Sequence, residues 1–183
     1  MKYFQGGENM EKKFDKDREA RVSGSSNTFY KEEVKITGER YTSRNFMDKE
    51  LSKLWSKVWN IGGWGRELEK PGDFITHNIG RESILMVKDK NNNIKAFHNV
   101  CPHRGNRLVH VDTGYVRDFT CTYHGWKFNY SGDLIYAQDE EDFPQGNPCG
   151  KVKLSEIPCE EYAGFIWYNM DKNCFPLKGF LGE

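Results

Sequence analysis

The chain has 183 residues, and its 27 Lys and Arg side chains balance 27 Asp and Glu side chains, so that the formal net charge is zero. This balance gives no sign of a nucleic-acid or anionic-membrane partner, and no apolar run approaches the roughly 20 residues of a membrane span. The length fits one domain with extensions, and the residues after Met1 lack the apolar core of a signal peptide, which predicts a cytoplasmic protein.

The chain begins with a charged stretch, residues 1–40, that Gly and Ser interrupt, and this composition predicts a mobile tail and lead-in. A helical segment is predicted over 41–70, with Ser43 as its cap and Gly62-Gly63 at its end. Apolar residues recur there at steps of three and four, which predicts a helix of about three to four turns with one packed face. That face comprises Met47, Leu51, Leu54, Trp55, Val58 and Trp59.

After Pro71-Gly72 the pattern changes to strands. Residues 74–79, 83–87 and 94–97 form alternating or apolar runs, and the last two runs flank an Asn-rich turn at 89–93, which predicts a hairpin. A second hairpin is predicted with its turn at Ser131-Gly132-Asp133, and residues 162–169 are predicted to form one more strand. The fold class is therefore mainly β, with antiparallel sheets that an N-terminal helix precedes.

Two short boxes between the strands carry the metal-binding residue types. Cys101 and His103 stand in the first box, and Cys121 and His124 in the second, in the pattern C-x-H-x17-C-x2-H. This pattern resembles the Rieske [2Fe-2S] signature, in which two Cys bind one iron and two His bind the other. Zinc also takes Cys and His ligands, but structural zinc sites usually pair like ligands within one box.

Other residues of the boxes are predicted to surround the cluster. Gly105 and Gly125 allow the torsions that a loop around a cluster needs, and Trp126 and Tyr123 are expected to shield it from solvent. Arg104 is expected to brace its loop. Rieske proteins of the respiratory bc type have Cys where this chain has Asn106 and Tyr123, so the resemblance implies a cluster without the bracing disulfide. Where this chain has Trp126 they have a Ser whose hydroxyl bonds a cluster sulfur, and the loss of this donor predicts a lower reduction potential.

From about Tyr41 to Glu183 the chain resembles the N-terminal part of the α subunit of Rieske non-haem iron oxygenases, the ring-hydroxylating family. The elements that carry this resemblance stand in the family order: a helix with Trp55 and Trp59, Pro71-Gly72-Asp73-Phe74, Gly80-Arg81-Glu82-Ser83, the two boxes, and Gly164-Phe165-Ile166-Trp167-Tyr168-Asn169. The resemblance implies a Rieske [2Fe-2S] domain over 71–175 and the start of a linker to an absent catalytic domain at 176–183.

The resemblance also implies partners and a role. Electrons would arrive from a reductase or ferredoxin and pass to a mononuclear Fe(II) that activates O2, in the catalytic domain of a neighbouring subunit of a trimer. That iron needs two His and one carboxylate. The five His include His103 and His124, and the other three, His77, His98 and His110, lack the family's helical pair. No catalytic residue is therefore expected in this chain.

Three alternatives remain at this stage. The first is the electron-transfer part of an oxygenase, and the second is a stand-alone Rieske ferredoxin-like carrier with an N-terminal extension. The third is a zinc-stabilised binding module. Cys149, Cys159 and Cys174 lie outside the boxes and are expected to act as small buried hydrophobic residues or, alternatively, as reactive thiols.

Overall fold

The computed structural model describes residues 37–182, apart from the side chain of Glu140. The chain divides into two compact units, 1–46 and 47–183. The predicted mobile tail lies largely outside the described residues, and the predicted domain boundaries stay predictions. In the first unit, helix α1 spans Glu39–Thr42 and the Ser43 hydroxyl accepts a hydrogen bond from the N–H of Phe46 at 3.3 Å, so Ser43 caps the next helix as predicted.

That next helix, α2, spans Arg44–Glu50 and continues as a π-helical turn over Leu51–Trp55. The helix begins where it was predicted, but it ends at Trp55, and Gly62-Gly63, its predicted end, lie in a strand over Asn60–Trp64, which corrects the prediction. Its apolar face is also not fully packed. Met47, Leu54 and Trp55 are 42%, 43% and 39% exposed. Leu51 and Trp55 line a groove of about 640 Å³, so that part of the face borders an open space.

A five-stranded antiparallel sheet forms the centre of the second unit. Its strands stand in the order β5-β2-β3-β4-β9, and β2, β3 and β4 confirm the predicted hairpin. Their bounds are Asp73–Ile79 for β2, Glu82–Lys88 for β3, Ile94–His98 for β4, Thr113–Tyr115 for β5 and Glu156–Ile157 for β9.

A smaller antiparallel sheet carries the second box. It has the order β6-β7-β8, with β6 at Phe119–Thr120, β7 at Lys127–Phe128 and β8 at Leu134–Tyr136. The predicted hairpin turn before β8 is confirmed. Gly132 in that turn has a φ of 81°, and a Cβ atom there would lie 2.6 Å from the Phe97 ring, so glycine is required.

The third sheet corrects the prediction of one strand over 162–169. Strand β1, Asn60–Trp64, pairs with β11, Phe165–Tyr168, which also pairs with β10, Cys159–Tyr162. Residues 162–169 therefore cross a hairpin. Ala163 and Gly164 are its two loop residues, with φ values of 53° and 79°, the torsions of a type I′ turn.

Two buried clusters of side chains stabilise this arrangement. One lies beneath the two boxes and includes both box cysteines, Phe97 and Trp126. The other lies between the five-stranded sheet and the β1-β11-β10 sheet, around Ile84, Met86 and Tyr168. The remaining elements are 3-10 turns at Gly65–Glu67 and Glu140–Asp142 and a short helix α3 at Leu177–Leu181.

The mainly β, antiparallel fold class is thus confirmed. Within residues 37–182 no helix is long and apolar enough to cross a bilayer.

Candidate metal centre

The two boxes form two hairpin loops of the same design, one 20 residues after the other. A bridge between Val100 and Arg107 closes the first loop, and the pairing of Thr120 with Lys127 closes the second. In the first loop, Cys101 N–H donates to the Asn106 carbonyl at 2.8 Å. The Gly105 N–H donates to the Cys101 carbonyl at 2.9 Å, and the second loop repeats both bonds at 2.8 and 3.0 Å.

The glycine of each box is required by the backbone torsion. Gly105 has a φ of 69° and Gly125 a φ of 68°, values at which a side chain is strained. These torsions turn the chain so that the backbone N–H groups after each cysteine point back toward its sulfur. The two glycines thus have the same backbone geometry, and this supports the predicted role of both in shaping the loops.

Both cysteine sulfurs are buried and receive backbone hydrogen bonds. Cys101 is 1% exposed and Cys121 is 3% exposed. Each sulfur accepts hydrogen bonds from the N–H groups two and three positions later in the chain, and the two thiols also hydrogen-bond to each other. The loops thus bring the two sulfurs together and surround them with donors, which stabilise thiolate ligands.

The two thiols differ in acidity. Burial raises the pKa of Cys101 to about 11. Burial also disfavours the Cys121 thiolate, but hydrogen bonds from the backbone of Tyr123, from the Cys101 thiol and from the Asn106 amide outweigh it and lower the pKa of Cys121. These hydrogen bonds thus favour the thiolate form of Cys121.

The two histidines lie side by side near the surface. The rings of His103 and His124 have centroids 4.7 Å apart and planes at 69°, and both residues are half-buried. Burial lowers the pKa of His103, and the charges of His124 and Arg104 lower it further. A neutral imidazole is the form that binds a metal.

Two aromatic side chains hold these rings. Trp126 is 5% exposed, and its indole stacks on His103 at 4.6 Å with planes 7° apart. Tyr123 is 58% exposed and covers the His124 ring at 3.8 Å. The shielding that the sequence predicts for these aromatic residues thus acts on the histidine rings, with Trp126 on the buried side and Tyr123 on the solvent side.

An open depression of about 530 Å³ adjoins the histidine pair. Its acidic members, Asp139 and Asp142, are exposed. The residues that line it are His103, Arg104, Tyr123, His124, Trp126, Gln138, Asp139, Asp142 and Phe143. The histidine side of the candidate centre is thus the side that another molecule can approach.

Arg104 contributes differently from the prediction. Its side chain is exposed, and its backbone N–H, rather than its guanidinium, makes the contact to the Cys101 sulfur. The bracing of the first loop comes instead from Arg107, whose Nε donates to the Val109 carbonyl and whose Nη2 donates to Asn78 Oδ1, both at 2.9 Å.

Asn99 is a second support that sequence reasoning missed. This side chain is 3% exposed. Its Nδ2 donates to the Val109 carbonyl at 2.8 Å and to Ser83 Oγ at 3.1 Å, and its Oδ1 accepts the Val109 N–H at 2.9 Å. Asn99, which precedes the first loop, is therefore bonded to Val109, which follows it, and so holds the two ends of the loop together. These partners stand 10 and 16 positions away, so no local sequence pattern indicates them.

The other histidines lie apart from this pair in the structure. His77 contacts the Tyr168 hydroxyl at 2.8 Å, His98 lies 3.5 Å from a Glu82 oxygen, and His110 is exposed. Of the cysteines outside the boxes, Cys149 and Cys159 pack against the two buried clusters, and burial raises the pKa of Cys159 to about 12. These contacts are those of structural side chains.

The donor set fits a binuclear cluster. Two adjacent sulfurs can bind one iron and two adjacent imidazoles the other. Among residues 37–182 no three His, Cys, Asp or Glu side chains are grouped as for a single ion, and a Rieske cluster asks for only two protein ligands at each iron.

Comparison with known proteins decides the family. The model of the Rieske [2Fe-2S] domain matches residues 59–155, which include both boxes. The chain belongs to the Rieske [2Fe-2S] domain family. Members of this family bind a [2Fe-2S] cluster, so the cofactor prediction is confirmed over the zinc alternative.

The curated relatives of this Rieske chain are oxygenase subunits. The α subunit of biphenyl 2,3-dioxygenase from Rhodococcus jostii is 33% identical over 143 residues, which are 78% of this chain and 31% of the relative. The oxygenase subunit of carnitine monooxygenase from Escherichia coli is 34% identical over 146 residues, 80% of this chain and 39% of the relative. The chain thus spans about a third of the length of such relatives, and it resembles their Rieske part.

Solved structures agree with this likeness. The apo form of a quaternary ammonium Rieske monooxygenase superposes with a TM-score of 0.74 at 32% identity, over 81% of this chain and 43% of that one. A naphthalene 1,2-dioxygenase superposes with a TM-score of 0.71 at 31% identity, over 78% of this chain and 32% of that one. This chain therefore has the fold of the part of these oxygenases that it matches.

Proposed function

We propose that this chain is the Rieske electron-transfer domain of a ring-hydroxylating-type oxygenase. Cys101 and Cys121 bind one iron of the cluster, and His103 and His124 bind the other. The observation that carries the proposal is the pair of matched loops, which bury both sulfurs and leave both imidazoles at the surface. A cluster bound between these loops supplies a centre that takes up and releases one electron at a time.

The residues of the loops support both ends of this centre. Backbone N–H groups direct their dipoles at the two sulfurs, and such donors stabilise negative charge there. Trp126 excludes water from one face of His103 and fixes the plane of its ring. Because one ring nitrogen of each histidine binds iron, the other can donate to an acceptor on a partner across the open depression.

We propose two partners on this basis. A reductase or ferredoxin delivers the electron, and a catalytic domain with a mononuclear iron receives it, in a neighbouring subunit of a trimer. For one related protein, a quaternary ammonium Rieske monooxygenase, electron transfer between subunits has been described together with its structure. The likeness to oxygenase subunits over about 80% of the chain, well beyond the matched Rieske region, favours this function over a stand-alone carrier.

The test of this function is electron delivery. The full chain is purified, reduced anaerobically with one equivalent of dithionite, and mixed with the catalytic part that the same DNA or a neighbouring gene encodes, identified by a His pair and a downstream Asp. The mononuclear iron of that part is first oxidised to the ferric state, so that it can accept the electron. We expect the visible absorption of the oxidised cluster to return faster after this mixing than after mixing with buffer. Reoxidation that is no faster than with buffer, although such a catalytic part is present, would favour the stand-alone carrier.

A further inference from the structure

Asn106 makes contacts to both cysteines, although it stands in only one of the two boxes. Its backbone carbonyl accepts the N–H of Cys101 at 2.8 Å. Its side-chain Nδ2 lies 3.7 Å from the sulfur of Cys121 in the other loop, within the distance of a hydrogen bond to sulfur. One residue therefore connects the two loops at the place where their sulfurs meet.

The same amide nitrogen has two further acceptors, and the closer one, the Arg107 carbonyl, holds it in place. Nδ2 lies 2.9 Å from the Arg107 carbonyl and 3.4 Å from Thr122 Oγ1. An amide has two N–H groups, so one can serve the Arg107 carbonyl while the other points to the Cys121 sulfur and the neighbouring hydroxyl. The half-buried side chain is thus fixed by its own loop and aimed at the opposite one.

The second loop has no matching donor at the equivalent position. The residue 20 positions after Asn106 is Trp126, and its carbonyl accepts the Cys121 N–H just as the Asn106 carbonyl accepts that of Cys101. Its side chain stacks on His103 instead. The two loops therefore match in their backbone bonds and differ in this side chain, and the amide adds a donor to one sulfur only.

We propose that Asn106 is a positioning residue that ties the two cluster loops together and, through its N–H on the Cys121 sulfur, raises the reduction potential of the cluster. The inference rests on the proposed function, because it takes Cys121 as an iron ligand. Reduction adds negative charge to the cluster and its sulfurs, so a fixed N–H donor stabilises the reduced form more than the oxidised form. Loss of the donor lowers the potential.

The test compares variants of the full chain that differ in this donor. Asn106→Leu keeps the side-chain size and removes the N–H groups, and Asn106→Asp places a carboxylate beside the sulfur. Thr122→Val is the matched control, because it removes the hydroxyl that also accepts from the Asn106 amide but leaves that amide in the protein. For each protein, iron and sulfide are counted and the midpoint potential is read from a redox titration of the visible spectrum.

We expect full iron content with a lower midpoint potential in Asn106→Leu, a still lower one in Asn106→Asp, and an unchanged one in Thr122→Val. An iron-loaded Asn106→Leu protein with the parent potential would overturn the role of Asn106 and leave the proposed function standing. If Asn106→Leu loses its iron, Asn106→Gln decides: iron retained there supports the amide tie, and iron lost in both contradicts it. A parent chain without any titratable iron would overturn the ligand assignment as well.

Discussion

Each sulfur at the candidate centre accepts two backbone N–H groups, while the two imidazoles depend on aromatic neighbours. This division explains why the four proposed ligands are not interchangeable. The cysteines need the buried, donor-rich interior of the loops, and the histidines need one free ring edge. Trp126 stacks on the ring of His103, and Tyr123 covers the ring of His124.

Loss of a ligand should remove the cluster. Cys101→Ser replaces a sulfur with a harder and less acidic hydroxyl, and His124→Ala removes a nitrogen, so we expect the purified variants to lose the iron and sulfide of the parent protein. Iron, sulfide and visible absorption measure this. Cys149→Ser and His110→Ala are the controls and should keep the full cluster, because both side chains lie outside the two loops. A ligand variant with the parent spectrum would contradict the assignment.

At the scale of elements, local sequence patterns predicted two of the hairpins, but neither the hairpin at Ala163 nor the side-chain bonds between elements. The β3-β4 turn follows from its Asn-rich sequence, and the helix start follows from Ser43. The hairpin at Ala163 was predicted as one strand, because an alanine with positive φ is uncommon and its sequence gives no sign of it. The bonds of Asn99 and Arg107 join residues from different elements, so only the folded chain shows them.

Asn99→Ala should loosen the first cluster loop. The change leaves the buried N–H of Val109 without its acceptor and removes one of the two donors to the Val109 carbonyl. An unsatisfied buried group of this kind costs about 1–3 kcal/mol of unfolding free energy. Urea unfolding measures the loss. The control is Asn91→Ala, an exposed side chain in the β3-β4 turn, with an expected change within about 0.5 kcal/mol. Equal stability of the two variants would contradict the role of Asn99.

His77 should make stability depend on pH. It contacts Tyr168 and so connects the five-stranded sheet to the β1-β11-β10 sheet, and burial lowers its pKa below the ordinary 6.5. The unfolded chain therefore takes up a proton at a higher pH than the folded protein does. The stabilisation is complete above pH 6.5 and is lost as the pH falls through the folded pKa.

The measurement is the urea midpoint of the parent and of His77→Gln at several pH values from 7 down to 5. We expect the parent to lose stability more steeply than the variant over this range, because the glutamine does not titrate. Parallel curves would show that His77 does not contribute to the slope.

At the scale of the whole molecule, hydrogen bonds replace a covalent brace. The described cysteines are all free, and Asn106 and Tyr123 stand where proteins of the bc type have a disulfide. Trp126, where those proteins have a serine hydroxyl, stacks on His103. A centre with fewer donors at its sulfurs has a lower reduction potential, which suits the electron-transfer function that we propose.

The midpoint potential of the full chain should therefore lie toward the bottom of the Rieske range, about −150 mV rather than about +300 mV. A redox titration monitored by visible absorption gives the value. A strongly positive midpoint would contradict the prediction and would mean that other donors replace the missing hydroxyl.

The most direct test of the account is Mössbauer spectroscopy of the full chain, grown with isotopically enriched iron. Two sulfur ligands at one iron and two nitrogen ligands at the other predict two doublets of equal area with different isomer shifts, and reduction should convert only the nitrogen-bound iron to the ferrous state. A single doublet for equivalent irons, or a protein that contains zinc and no iron, would contradict the Rieske centre between Cys101, His103, Cys121 and His124.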